Sequence, residues 1–185
     1  GLASMMGDAR PAYDAYRRFL QIYADVVLEV DLAIFEEILS AHKQRAGVTL
    51  DHELTSDALL AVVADFKAAI RKATGSEPPT DPWLQLAAAV EAVFRSWNND
   101  RAIFYRNHNG ISHDMGTAVT IQAMVFGNQG PTSATGVLFT RSPATGERKV
   151  YGEFLPNAQG EDVVAGVRTP EGIANLANLL PEASA

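Results

Sequence analysis

The stretch that most restricts this chain is residues 75–82, Gly-Ser-Glu-Pro-Pro-Thr-Asp-Pro, where three prolines and a glycine fall within eight positions. Proline lacks a backbone N–H and its ring clashes with the preceding turn, so a helix cannot continue through such a segment. Any helical packing before it must end, and whatever follows must start afresh. Asp81-Pro82 reads as that start, with Asp81 as N-cap and Pro82 at the first helical position. Trp83, Leu86, Val90, Phe94 and Trp97 then recur at helical spacing, and Asn98-Asn99 ends the run.

Upstream, the pattern is helical three times over. Tyr13, Tyr16, Leu20, Tyr23 and Val27 share one face, with Arg17, Arg18, Gln21 and Asp25 mostly elsewhere. Ile34, Phe35, Ile38 and Leu39 line a second helix that stops before Gly47. A third opens at Thr55-Ser56-Asp57, sets Leu59, Val63, Phe66 and Ile70 on one stripe, and closes on Arg71 and Lys72. After residue 100 the period changes to two. Across Ala118–Phe126, Val119, Ile121, Ala123 and Val125 alternate against Thr120 and Gln122, which predicts a strand. Further strands are expected at 136–140, 150–155 and 162–167, with turns at 127–131 and 143–146. Thr169-Pro170-Glu171 is expected to open a last helix through Asn178. Helices first, then antiparallel strands with flanking helices, is an α+β chain.

The totals exclude several functions. Apolar residues make up 47% of 185, enough for a real core. Lys and Arg number 15 against 22 acids, a net charge of -7, which argues against a nucleic-acid-binding surface. Cysteine is absent, so thiolate metal sites and cysteine nucleophiles are excluded, as befits a reducing compartment. No apolar run approaches the roughly 20 residues of a membrane helix, and the first residues lack signal-peptide character. A cytoplasmic protein with neither nucleic-acid nor membrane partners is the expectation.

Chemistry concentrates in Tyr151-Gly-Glu-Phe-Leu-Pro-Asn-Ala-Gln-Gly-Glu-Asp162. A period of two puts Glu153 on one sheet face with Tyr151 and Leu155. Asn157, Gln159, Glu161 and Asp162 follow in a glycine-containing connection. Oxygen ligands clustered in this way suit Mg²⁺, which takes carboxylates together with phosphate oxygens. Arg168 beyond the next expected strand could grip a phosphate through two N–H groups. On residue chemistry alone the same run serves equally as a solvated acidic loop. Arg141, at a strand end, is placed for a phosphate contact; Arg101 and Arg106 flank Ile103-Phe104-Tyr105 and read as partners of surface acids. Gly127-Asn128-Gln129-Gly130 lacks the lysine of a phosphate loop and reads as a hairpin connection, with a glycine loop folding over a nucleotide as the other option. His108 and His113 stand five apart, not at helical zinc spacing, and no Gly-x-Ser-x-Gly elbow occurs.

Several strings, in consistent order along nearly the whole chain, resemble the pyruvate, phosphate dikinase family. They include Asp14-Ala-Tyr-Arg-Arg-Phe19, Phe94-Arg-Ser-Trp-Asn-Asn99 with Arg101-Ala-Ile-Phe-Tyr-Arg106, and Gly116-Thr-Ala-Val-Thr-Ile-Gln122. Thr135-Gly-Val-Leu-Phe-Thr-Arg141, Tyr151-Gly-Glu-Phe-Leu155, Asn157-Ala-Gln-Gly-Glu-Asp-Val-Val-Ala-Gly166 and Arg168-Thr-Pro170 continue the likeness. The resemblance implies an ATP-grasp-like nucleotide domain, with residues 1–75 as an inserted helical subdomain and 76–185 as a partial ATP-binding subdomain. It implies ATP as ligand, with Gln159, Arg168, Arg141 and Asn157 toward the phosphates and Glu153 and Glu161 toward Mg²⁺. In such enzymes the β,γ-pyrophosphoryl group of ATP passes to a histidine on a swivelling domain. Inorganic phosphate takes the terminal group, and the phosphohistidine converts pyruvate to phosphoenolpyruvate at a barrel domain. The phosphohistidine and pyruvate-binding domains, and a glycine-rich lysine-bearing segment, are expected outside these residues, in a protein expected to be a homodimer. Pro156 stands where such proteins usually carry an aliphatic residue. Related readings are a phosphoenolpyruvate synthase-like or antibiotic phosphotransferase ATP domain, and a truncated non-catalytic interaction module.

Overall fold

A computed structural model describes residues 3–4, 7–164 and 168–183. The chain divides into two compact units, residues 1–122 and 123–185.

The first unit is helical. Helix α1 spans Ala9–Val26, α2 Leu32–Ala46, α3 Ser56–Thr74, α4 Pro82–Ser96 and α5 Asp100–Asn109. Each starts where a short oxygen-bearing side chain takes up backbone N–H groups that the first turn leaves unpaired. Thr55 accepts from the amide of Ala58, Asp81 from Trp83 and Leu84, and Asn99 from Ala102. Three of the five end on a glycine in the left-handed region: Gly47, Gly75 and Gly110. The core lies among α1, α2 and α3. Leu20, Phe35, Leu59, Phe66 and Ile70 are wholly buried there, and the Phe35 and Phe66 rings meet edge to face at 5.0 Å. The stripe expected on α3 is thus the one that packs.

Beside this apolar core sits an ion network that periodicity did not reveal. Asp14 and Arg17 on α1 are 2% and 3% exposed, and Arg17 Nη2 lies 2.6 Å from Asp14 Oδ1 and 2.9 Å from Asp51 Oδ2. Lys43 of α2 reaches Asp51 at 2.9 Å, and Arg10 donates to the carbonyls of Leu54 and Asp51. Burial alone would push both carboxyls up. The Arg17 charge, aided by Arg18 at Asp14 and by Lys43 at Asp51, more than offsets it, so both lie below the usual carboxylate range.

Two helical expectations change. The helix from Pro82 forms, but its stripe is not a core: Trp83 is 76% and Phe94 50% exposed, and only Ala92 is buried. Helix α5, unforeseen in the sequence, follows at once because Asn99 recaps the chain. The alternating segment 118–126 forms no strand and stays open, with Val125 89% exposed. A strand persists only as part of a ladder, and no described strand pairs with it.

The second unit holds a three-stranded antiparallel sheet in the order β1-β2-β3, with β1 at Ala134–Phe139, β2 at Tyr151–Pro156 and β3 at Glu171–Gly172. In register, Ala134 faces Pro156, Val137 faces Glu153 and Phe139 faces Tyr151; Glu153 also faces Gly172. Pro156, which cannot donate to a ladder, ends β2. The strand expected over 162–167 is replaced by a short helix, α6, at Gly160–Val164; residues 165–167 lie outside the described set. Asp162 explains the switch, because its carboxylate accepts from the Gln159 amide at 2.9 Å and closes the first turn. The expected helix from Thr169 starts late. Glu171 and Gly172 are drawn into pairing with β2, and helix α7 covers only Leu176–Leu179.

Candidate functional site

Three of the residues singled out from sequence, Asn157, Gln159 and Arg168, lie at one end of the β1–β2 hairpin. Past Pro156 the chain turns through Asn157, whose φ of 47° lies in the left-handed region. Asparagine tolerates that conformation better than other residues with a Cβ. The turn is clamped from the 127–133 loop. Asn157 donates its amide to Ser133 O at 2.7 Å, while its Oδ1 accepts from Gly130 N at 3.2 Å. Ala158 donates to Gly127 O at 2.9 Å, and Thr135 Oγ1 donates to Ala158 O at 2.7 Å. Gly127 is required here: a Cβ would collide with Thr135 Oγ1 and with the carbonyl of Ala158. The 127–131 loop is therefore no hairpin connection, since no strand precedes it among the described residues; it packs on the turn after β2.

Gln159 is buried, 7% exposed, and its Nε2 donates to Asn128 Oδ1 at 3.0 Å, with Asn128 itself 4% exposed. Arg168, half-buried, donates from Nη1 to the Asn157 carbonyl at 3.3 Å. Arg168 with Asn157 and Gln159 with Asn128 are thus two hydrogen-bonded pairs at the same turn, and Asn128 is a member that sequence reasoning missed. Its signal was the adjacent Gly127, whose missing side chain marks a close backbone approach.

The other candidates stand apart from that group. Glu153 is exposed midway along β2, opposite Val137. Glu161 is exposed in the first turn of α6. Arg141 lies beyond Phe139, at the far end of the hairpin, and donates to Gly146 O at 3.3 Å. With about 3.3 Å per strand residue, roughly 17 Å of β1 separates its end from the Asn157 turn. Among the described residues no cluster of three or more His, Cys, Asp or Glu side chains could enclose a metal. An exposed Glu153 fits a different mode, in which one or two carboxylates and a ligand's phosphate oxygens share Mg²⁺.

Arg106 also departs from expectation. It pairs with no acid among the described residues; it is 3% exposed, stacks 4.0 Å over the Trp97 ring, donates from Nε to His113 Nδ1 at 3.0 Å and from Nη1 to Trp97 O. No helix among the described residues is long and apolar enough to cross a membrane.

Residues 24–180 match the family model described as pyruvate phosphate dikinase, AMP/ATP-binding domain. The pyruvate, phosphate dikinase of Clostridium symbiosum is 56% identical over 183 residues, covering 98% of this chain and 21% of that protein. Its counterpart in Rhizobium meliloti is 55% identical over 173 residues, covering 94% and 19%. Pyruvate, phosphate dikinase 1, chloroplastic, of Arabidopsis thaliana is 54% identical over 185 residues, covering 100% and 19%. The chain spans about a fifth of the length of these relatives.

Proposed function

The chain belongs to the pyruvate phosphate dikinase AMP/ATP-binding domain family, and from that premise we propose that it supplies one wall of an ATP site in a dikinase. The observation that carries this reading is the buried Asn128–Gln159 pair and the Arg168–Asn157 contact at the turn after β2. Such a wall can do what phosphoryl transfer asks of a protein, which is mainly positioning and electrostatic stabilisation.

In this reading Arg168 neutralises phosphate charge and Gln159 and Asn157 offer polar contacts to the phosphates. Glu153, with Glu161 as companion, shares Mg²⁺ with the nucleotide, and Arg141 meets a more distant part of the ligand. Mg²⁺ would supply charge neutralisation on the phosphate oxygens. Residues 1–75 form the inserted helical subdomain and 76–185 part of an ATP-grasp-like subdomain. The complete protein, a cytoplasmic homodimer, passes phosphoryl groups from ATP through a histidine on another of its domains to phosphate and to pyruvate. The products are AMP, pyrophosphate and phosphoenolpyruvate.

The test is ATP-dependent phosphorylation of that histidine in the complete protein. Glu153→Gln and Arg168→Ala are each expected to slow it by about 10²-fold, the usual worth of one charge-stabilising group. Wild-type rates in both variants would overturn the assignment.

A further inference from the structure

In the helical unit, α4 and α5 with the 111–116 segment enclose an open groove of about 650 Å³. Its floor and rims include Trp97, Arg101, Phe104, Tyr105, Arg106 and Met115. Phe104, Tyr105 and Met115 are 71%, 60% and 73% exposed, a contiguous apolar surface of a kind that usually marks an interaction site. One wall is built rather than incidental. Trp97 Nε1 donates to His113 O at 3.1 Å, Arg106 lies on the Trp97 ring, and Arg106 Nε binds His113 Nδ1. Because the guanidinium N–H can only donate, Nδ1 must be the unprotonated nitrogen. His113 Nε2 then donates to Asn107 Oδ1 at 2.9 Å.

The charge of the groove decides what it takes. The lining contains two arginines and no carboxylate, in a chain whose net charge is -7. Arg106 spends Nε and Nη1 on His113 and Trp97, and no hydrogen bond is made by Nη2 among the described residues. Arg101, exposed on the same helix, makes no ion pair among them. A buried guanidinium with a donor to spare, beside a second exposed one, is complementary to a carboxylate. The aromatic surface next to it is complementary to a large apolar side chain. The groove is open to solvent, which lets a chain segment lie across it.

We propose that this groove is a docking site for a peptide segment of a protein partner, carrying an acidic residue directly beside a large apolar one. The aromatics of α5 hold the apolar side chain, and Arg101, with the charge of Arg106 behind it, holds the carboxylate.

The chain has two tryptophans, so Trp83→Phe leaves Trp97 as a single fluorescent reporter inside the groove. In that background, acetyl-Leu-Asp-Phe-Glu-Leu-amide is titrated at low salt, beside acetyl-Leu-Asn-Phe-Gln-Leu-amide. Saturable change in Trp97 emission is expected with the acidic peptide, and affinity about tenfold weaker with the amide peptide or with Arg101→Glu, the worth of one charge-assisted contact. Arg101 is exposed, so this variant leaves the core untouched. Equal affinity for both peptides, indifference to Arg101→Glu, or no saturable response overturns the proposal. So does a concentration-dependent dimer, seen by sedimentation, that excludes the acidic peptide from the groove.

Discussion

Asp14 and Asn157 show how much can rest on one side chain. Asp14 is an anion in a nearly dry setting, tolerated because Arg17 and Arg18 surround it. Removing one member of a buried ion pair typically costs 3–5 kcal/mol. Arg17 keeps Asp51, so Asp14→Asn should cost about 3 kcal/mol at neutral pH, read by denaturant unfolding. The sign with pH follows from the lowered carboxyls of Asp14 and Asp51. Their contribution is complete above the unfolded carboxylate pKa of about 4 and is lost as pH falls through the lower folded values. Thermal scans from pH 6 to pH 2 should show wild type and Asp14→Asn converging toward the acid end. At Asn157, glycine keeps the left-handed backbone but loses the contact to Gly130. Asn157→Gly should cost about 1 kcal/mol and Asn157→Ala roughly 1 kcal/mol more, the added amount being the Cβ penalty. Neither aspect was legible beforehand. Opposite charges three residues apart on α1 look like a surface pair until their burial is known, and a φ angle leaves no trace in composition.

At the scale of elements, the readings that held were those in which the signal is local. Thr55, Asp81 and the glycines after α2 and α3 cap helices through bonds to residues two to four away, and the sequence contains both partners. The readings that changed depended on a distant partner. Alternation over 118–126 is real, but a ladder needs a second strand. The run from Glu171 has helical character that pairing with β2 overrides. The candidate site divides the same way: Asn157, Gln159 and Arg168 lie within twelve residues, whereas Asn128 is 31 positions from Gln159. The docking of the 127–133 loop onto β1 and the Asn157 turn has a direct test. Gly127→Ala forces a Cβ into Thr135 and Ala158 and should destabilise this unit by about 1–3 kcal/mol. Hydrogen exchange at the Ala158 amide should accelerate with it, while exchange in α3 stays unchanged.

Over the whole molecule the two units differ in what holds them. The helical one has a continuous apolar core of eleven buried residues; the sheet-bearing one has a cluster of three, Leu155, Ala158 and Val163, with hydrogen bonds doing much of the rest. Urea should therefore melt the second unit first, with the Ala158 amide signal lost before the helical circular dichroism. Fold class was legible because helical and alternating periods occupy separate halves of the chain. The partners of the exposed faces on α4 and α5 were not, since periodicity reports that a face is apolar and never what meets it.

The open segment around Val125 has a consequence for anyone concentrating this chain. From Thr117 to Gly127 there is no charge and no proline, and Ile121, Met124 and Val125 stand 67%, 72% and 89% exposed. Uncharged, β-prone stretches of this kind stack into intermolecular sheets when nothing interrupts them. Precipitation on storage should begin there. A single Val125→Lys should lengthen the lag before light scattering rises, without moving the midpoint of thermal unfolding.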